Sequence, residues 1–196
     1  MLLTLKACLG FRTQPFRILR DLMKKNILFM IVGFLVPGLC FATLPLNKPI
    51  PQVSLEGDSG GRLDEKAWSS TELMGKVHVI FYVDPDAADV NNAASEALKA
   101  ENFSTEHYQS VAIINLAATW LPNFAIQPKL ESKQKQYPST LYLVDKNKSL
   151  VSQWGLQDDS SNILVVNKSG IVVFSVDGAL TKEQITLMVK TIYDNL

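Results

Sequence analysis

Carboxylates crowd two short stretches of this chain, Asp84-Pro85-Asp86-Ala87-Ala88-Asp89 and Asp158-Asp159-Ser160-Ser161-Asn162. Hard cations such as calcium take about six to eight oxygen ligands, so Asp84, Asp86 and Asp89 are candidate metal ligands, with Asn91, Asn92 and Asn162 as further oxygen donors. A plainer reading stands beside this one. Asp86 caps a following helix and Asp89 completes a box-like start, Asp84-Pro85 shapes a turn, and Asp158-Asp159 is a solvated loop. Acid–base chemistry is poorly supplied, since the chain has two histidines. His78 is expected to pack at the start of a strand and His107 to lie at the surface, neither beside a nucleophile or a ligand set of the kind hydrolases need. Trp68 and Trp154 read as packing residues. Trp120 follows a strand at its carboxyl end, and an aromatic beside charged loops suits a partner-binding edge.

Sulfur is the next element to account for, and both cysteines, Cys8 and Cys40, lie near the start. Lys24 and Lys25 precede the apolar run of residues 27–36, which Pro37 and Gly38 break ahead of Cys40-Phe41-Ala42. That run is well short of the ~20 apolar residues a bilayer span needs, so it reads as a signal peptide cut after Ala42. The expected destination is the periplasm of a Gram-negative bacterium, with no stable membrane insertion after cleavage. An uncleaved tether is the alternative. Residues 1–22, ahead of Met23-Lys24-Lys25, are either an upstream mis-start or a long basic n-region. Cleavage removes both cysteines and leaves 13 Lys and Arg against 18 Asp and Glu. An acidic chain of this kind is a poor nucleic-acid binder, because phosphate neutralisation requires clustered basic residues.

Residues 43–196 read as one domain that must position the two acidic loops. Pro45, Pro49 and Pro51 keep the lead-in extended, residues 52–56 suggest a short strand, and residues 57–61 a turn. Val77-His78-Val79-Ile80-Phe81-Tyr82-Val83 is apolar on both faces and predicts a central strand. A helix with Val90, Ala94, Ala97 and Leu98 on one face follows, then a strand over residues 110–116, a helix over 122–136 and a strand over 140–144. Asn167-Lys168-Ser169-Gly170 joins a hairpin of residues 162–166 and 171–176. Thr181 and Gln184 form a capping box for a last helix with Ile185, Met188, Val189 and Ile192 along one face. Strands joined through helices lie parallel with right-handed crossovers. The expected class is α/β: a mixed central sheet with helices on both faces, a closing antiparallel hairpin and an additional N-terminal strand pair.

This order resembles the thioredoxin superfamily. The stretch from Ile163-Leu164-Val165-Val166 through Asn167-Lys168-Ser169-Gly170 to Asp177-Gly178 and the last helix is similar to a thioredoxin's final hairpin and helix. A closer resemblance is to the YtfJ family of exported bacterial proteins, through Phe81-Tyr82-Val83-Asp84-Pro85-Asp86, Asn115-Leu116-Ala117-Ala118-Thr119-Trp120-Leu121-Pro122-Asn123-Phe124 and Trp154-Gly155-Leu156. The resemblance implies a thioredoxin-like fold and brings no established activity with it. Where redox thioredoxins carry two cysteines after the first core strand, this chain has the Asp84 turn, and the loop before the late hairpin has no proline. Without a thiol the exported chain is excluded from thiol oxidoreductase and peroxiredoxin chemistry.

Working surfaces of such sheets lie outside the carboxyl ends of the parallel strands, where both acidic loops should meet. The expectation is a non-catalytic module that binds a protein or small ligand through Asp84, Pro85, Asp86, Asp89, Trp120, Asp158, Asp159 and Asn162. The alternative is a carboxylate-based enzyme or a calcium-dependent module using the same edge.

Overall fold

The β-branched and aromatic run at residues 77–83 is the centre of the sheet in the computed structural model, which describes residues 44–196. The signal-peptide reading of residues 1–42 lies outside the described residues. From the amino end the elements are β1 (Ser54–Leu55), β2 (Gly60–Arg62), β3 (Trp68–Ser69), β4 (Val77–Val83), α1 (Asn92–Glu101), β5 (Tyr108–Asn115), α2 (Asn123–Gln136), β6 (Leu141–Asp145), α3 (Ser149–Trp154), β7 (Ser161–Val166), β8 (Val172–Asp177) and α4 (Lys182–Tyr193). β1 and β3 form a small antiparallel sheet, and the main sheet runs β2-β6-β5-β4-β7-β8. The helix-linked strands β4, β5 and β6 are parallel, whereas β2, β7 and β8 join antiparallel.

Strand alternation divides the core into layers. Ile80, Tyr82, Val111, Ile113, Leu143 and Leu164 face Leu55 and Trp68 of the small sheet and Leu150 and Trp154 of α3. Trp68 and Trp154 meet edge to face with ring centres 6.5 Å apart, and Trp154 Nε1 donates to the Pro51 carbonyl at 2.9 Å. On the opposite face Val77, Val79, Ile163 and Val165 pack against Ala94 and Leu98 of α1 and Met188 and Ile192 of α4. Ile126 and Leu130 of α2 cover Val144 nearby. Full burial of one such aliphatic side chain contributes about 1.5–3 kcal/mol, so these layers supply the main drive to fold. At α4 the expected box is present: Thr181 Oγ1 accepts from the Gln184 amide at 3.2 Å, and Gln184 Oε1 accepts from the Thr181 amide at 2.8 Å.

Asp86 does not cap α1, contrary to the sequence reading. Residues Pro85–Ala87 form a 3-10 turn, α1 begins at Asn92, and Val90 is 48% exposed rather than on the buried face. The cause is tertiary. Buried Asn91 donates to Ser161 Oγ and to the Gly178 carbonyl, each at 2.9 Å, and accepts from the Leu180 amide at 2.9 Å, which pins the chain before the helix can start.

Residues 57–61 also prove to be more than a turn, because Gly60 and Gly61 pair with Asp145 and Val144 as the edge strand β2. Gly60 has φ +127°, and a Cβ there would lie 2.0 Å from the Val144 carbonyl oxygen. Gly60→Ala is expected to cost about 3 kcal/mol through backbone strain and overpacking. Urea denaturation checks this, and a loss below about 1 kcal/mol would show that β2 shifts without penalty.

Candidate functional site

Topology brings one end of three strands together. Val83 pairs with Ile114 on one side and Ser161 on the other, so the residue that follows β4, Asp84, comes beside Asn115 of β5 and the loop that enters β7. The Asp84 amide donates to the Ser160 carbonyl at 3.1 Å, fixing turn to loop. Asp84 itself is 3% exposed, and neither of its carboxylate oxygens has a hydrogen-bond partner.

Asn115 is fully buried; its Nδ2 donates to Asp158 Oδ1 at 3.2 Å, and its Oδ1 has no partner. Half-buried Lys148 donates to Asp158 Oδ2 at 2.6 Å. Asp84, Asp158 and Asp159 each offer an oxygen within 4.8 Å of the others. Asp159 reaches this position from the left-handed region, at φ 52°. Among the described residues, the buried side-chain atoms that lack a partner are the two Asp84 oxygens and Asn115 Oδ1, all acceptors on residues at the adjoining ends of β4 and β5.

Electrostatics follow from that crowding. Burial pushes the Asp84 carboxyl up to about 6, and the charges of Asp158 and Asp159 work in the same direction. The Asn115 amide beside it offsets part of the rise without reaching hydrogen-bond geometry. Burial works to raise Asp158 too, but its bonds to Lys148 and to the Asp159 backbone hold it below the ordinary carboxylate range. Lys148 is raised by the same bond. The arrangement has more acceptors than donors and more negative than positive charge, which suits holding a cationic or donor group rather than attacking one.

The expected site residues divide into groups. Asp84, Asp158 and Asp159 converge, whereas Asp86 and Asp89 are exposed outside their group, with Asp89 Oδ1 accepting from Asn92 Nδ2 at 3.0 Å. Pro85 opens the 3-10 turn. Asn162 is buried and not a spare oxygen donor: its Oδ1 accepts from the Gln157 amide at 3.0 Å and its Nδ2 donates to the Gln157 carbonyl at 2.9 Å, bracing the loop that bears Asp158. Trp120, 86% exposed, follows β5 beyond the 3-10 turn Leu116–Ala118. His78 is buried, with Nδ1 3.1 Å from the Lys76 carbonyl, and His107 is exposed.

Sequence reasoning missed Asn115 and Lys148. The first ends an apolar strand and the second sits in Asp145-Lys146-Asn147-Lys148, which reads as a strand stop. A separate cavity of about 350 Å³ lies between α1 and α2, lined by Phe81, Ala112 and Tyr142 with Lys99 and Lys133, and no acidic-edge residue lines it.

Residues 44–195 match the family described as "Bacterial protein of unknown function (YtfJ_HI0045)". Among curated relatives, "Uncharacterized protein YtfJ" of Escherichia coli K12 is 33% identical over 124 residues, covering 61% of this chain and 67% of that protein. An uncharacterized protein of Haemophilus influenzae Rd is 29% identical over 180 residues, covering 87% of this chain and 97% of that protein. Of solved structures, the thioredoxin domain of a thiol-disulfide oxidoreductase from Bacteroides vulgatus superposes with a TM-score of 0.56 at 14% identity, over 75% of this chain and 96% of that one. The last likeness concerns the fold, which is thioredoxin-like.

Proposed function

We propose, from the premise that the chain belongs to the YtfJ_HI0045 family of bacterial proteins, that it is an exported non-redox binding module. It takes a protein or small ligand at the edge formed by Asp84, Asp158, Asp159 and Trp120. One observation carries this reading: the Asp84 carboxylate is buried and unpartnered at the turn where redox thioredoxins carry their cysteines. A buried acceptor left unpaired costs about 1–3 kcal/mol, and a ligand that supplies the donor recovers it. Trp120 supplies a large exposed contact surface at the same end of the sheet. Export is supported by the basic-then-apolar order of residues 24–42, and contact rather than thiol chemistry by the absence of cysteine from residues 41–196.

A photoreactive residue placed at exposed Asp86 tests the edge directly in cells. The expected result is an adduct of defined mass shift that weakens about tenfold when Trp120→Ala is added, the effect of losing one contact of about 1.4 kcal/mol. A probe at Leu187, exposed on α4, should give no such adduct. An adduct indifferent to Trp120→Ala, or obtained equally from position 187, overturns the reading.

A further inference from the structure

We infer that the acidic edge holds a calcium ion, bound by Asp84, Asp158 and Asp159; this rests on the reading of that edge as the working surface. Two independent features point to it. Three carboxylates approach within 4.8 Å of one another, and the most buried of them, Asp84, has no hydrogen-bond partner on either oxygen. Native folds pair the great majority of their buried polar atoms, so a buried carboxylate left unpaired marks a missing positive group. Lys148 is the salt-bridge partner of this group among the described residues, and it is engaged with Asp158.

Chemistry narrows the ion. Every donor is a carboxylate oxygen, which is the preference of a hard cation and not of zinc or copper. Oxygens on opposite sides of a calcium ion lie about 4.8 Å apart, at roughly 2.4 Å per bond, which the observed crowding accommodates. Calcium also tolerates irregular shells completed by water and bidentate carboxylates, whereas magnesium demands a near-ideal octahedron. Asp84 is the buried end of the site, Asp158 is half-buried and Asp159 is exposed, so the group runs from the interior to the surface.

Lys148 sets the affinity. Its ammonium lies 2.6 Å from Asp158 Oδ2, so an arriving ion must share or displace it. Dissociation constants of about 10⁻⁴–10⁻³ M, the range of extracellular calcium modules, are therefore expected. Removing the competing charge with Lys148→Met should tighten binding about tenfold, one 1.4 kcal/mol step. A purely structural lysine would not do this.

Titration calorimetry and thermal melts of the full chain, with calcium or magnesium chloride added after chelator treatment, test the assignment. Expected are a saturable calcium-dependent rise in Tm, at least tenfold weaker binding in Asp84→Asn and in Asp159→Asn, tighter binding in Lys148→Met, and no change in the double variant Asp86→Asn, Asp89→Asn. No response up to about 10 mM calcium, an equal response to magnesium, or binding that survives Asp84→Asn overturns it. Should Asp84→Asn fail to fold by circular dichroism, the Asp159→Asn and Lys148→Met arms decide. Repeating the Asp86 photo-crosslink in excess chelator separates the two proposals: an adduct that persists while calcium has no effect removes the ion and keeps the binding surface.

Discussion

Asp145→Ala is expected to cost about 3–5 kcal/mol, through loss of a buried acceptor that serves several groups at once. Asp145 ends β6 and is fully buried. Its Oδ1 accepts from the amides of Asn147 at 3.1 Å and Ser149 at 2.9 Å, and its Oδ2 from the Leu150 amide at 2.9 Å and the Tyr82 hydroxyl at 3.2 Å. The first amides of a helix have no partner within it, and an anion there is favoured by the helix dipole. For α3, a helix too short to hold itself together, the carboxylate is the nucleus. Burial and the Asp145 charge hold the Tyr82 hydroxyl well above its ordinary pKa, so it remains a donor to this carboxylate. Alanine would strand the helix amides and the Tyr82 hydroxyl together, and loosen Lys148, which immediately precedes α3 at φ 54°. Asp145→Asn keeps one acceptor and turns its NH₂ toward a donor, so about half the loss is expected. Urea denaturation followed by tryptophan fluorescence, with Trp154 in α3 as reporter, measures both; a loss under about 1 kcal/mol for the alanine variant would show that water takes over these bonds.

What the sequence made legible, and what it did not, follows from the range of the forces involved. β4 and α4 announce themselves through local signals: an apolar run, and a capping box with 3.6-residue periodicity. α3 has six residues, fewer than two turns, so no period can show, and the carboxylate that starts it belongs to the preceding strand. β2 was hidden because Gly60-Gly61 looks like a turn until the close Val144 backbone explains why no side chain is tolerated. At the site, strand order alone predicts that the two acidic loops meet, and the convergence of Asp84 with Asp158 and Asp159 agrees with that. The local spacing of Asp86 and Asp89 suggested a cap and a ligand set, but Asn91 delays the helix through bonds to residues 161, 178 and 180, far away in the chain. Asn115 is the extreme case, since what distinguishes it is an unpaired oxygen, a property of its surroundings and not of its type.

Asp84→Asn, measured in excess chelator, should stabilise the protein by on the order of 2–3 kcal/mol at about pH 8 and by little at about pH 4. The sign follows from the folded-state value of about 6 against the ordinary 3.8. A carboxyl whose pKa is raised by folding leaves stability intact where both states are protonated, below about 3.8, and withdraws it as pH rises through about 6, because the unfolded chain ionises freely while the folded one resists. A shift of about two pKa units corresponds to the stated energy at 1.36 kcal/mol per unit. Asp158 acts in the opposite sense, with stability lost as pH falls through its lowered value, below the window in which Asp84 titrates. Asparagine removes this titration, so the variant should lose the Asp84 part of the slope and keep that of His78, whose buried ring is held below its ordinary range and withdraws stability as pH falls. Calcium should restore the wild type toward the variant at the higher pH and leave the variant unmoved. Destabilisation at about pH 8 would mean that the Asp84 oxygens are already paired in solution, and the excess of acceptors that makes this edge a binding surface would not exist.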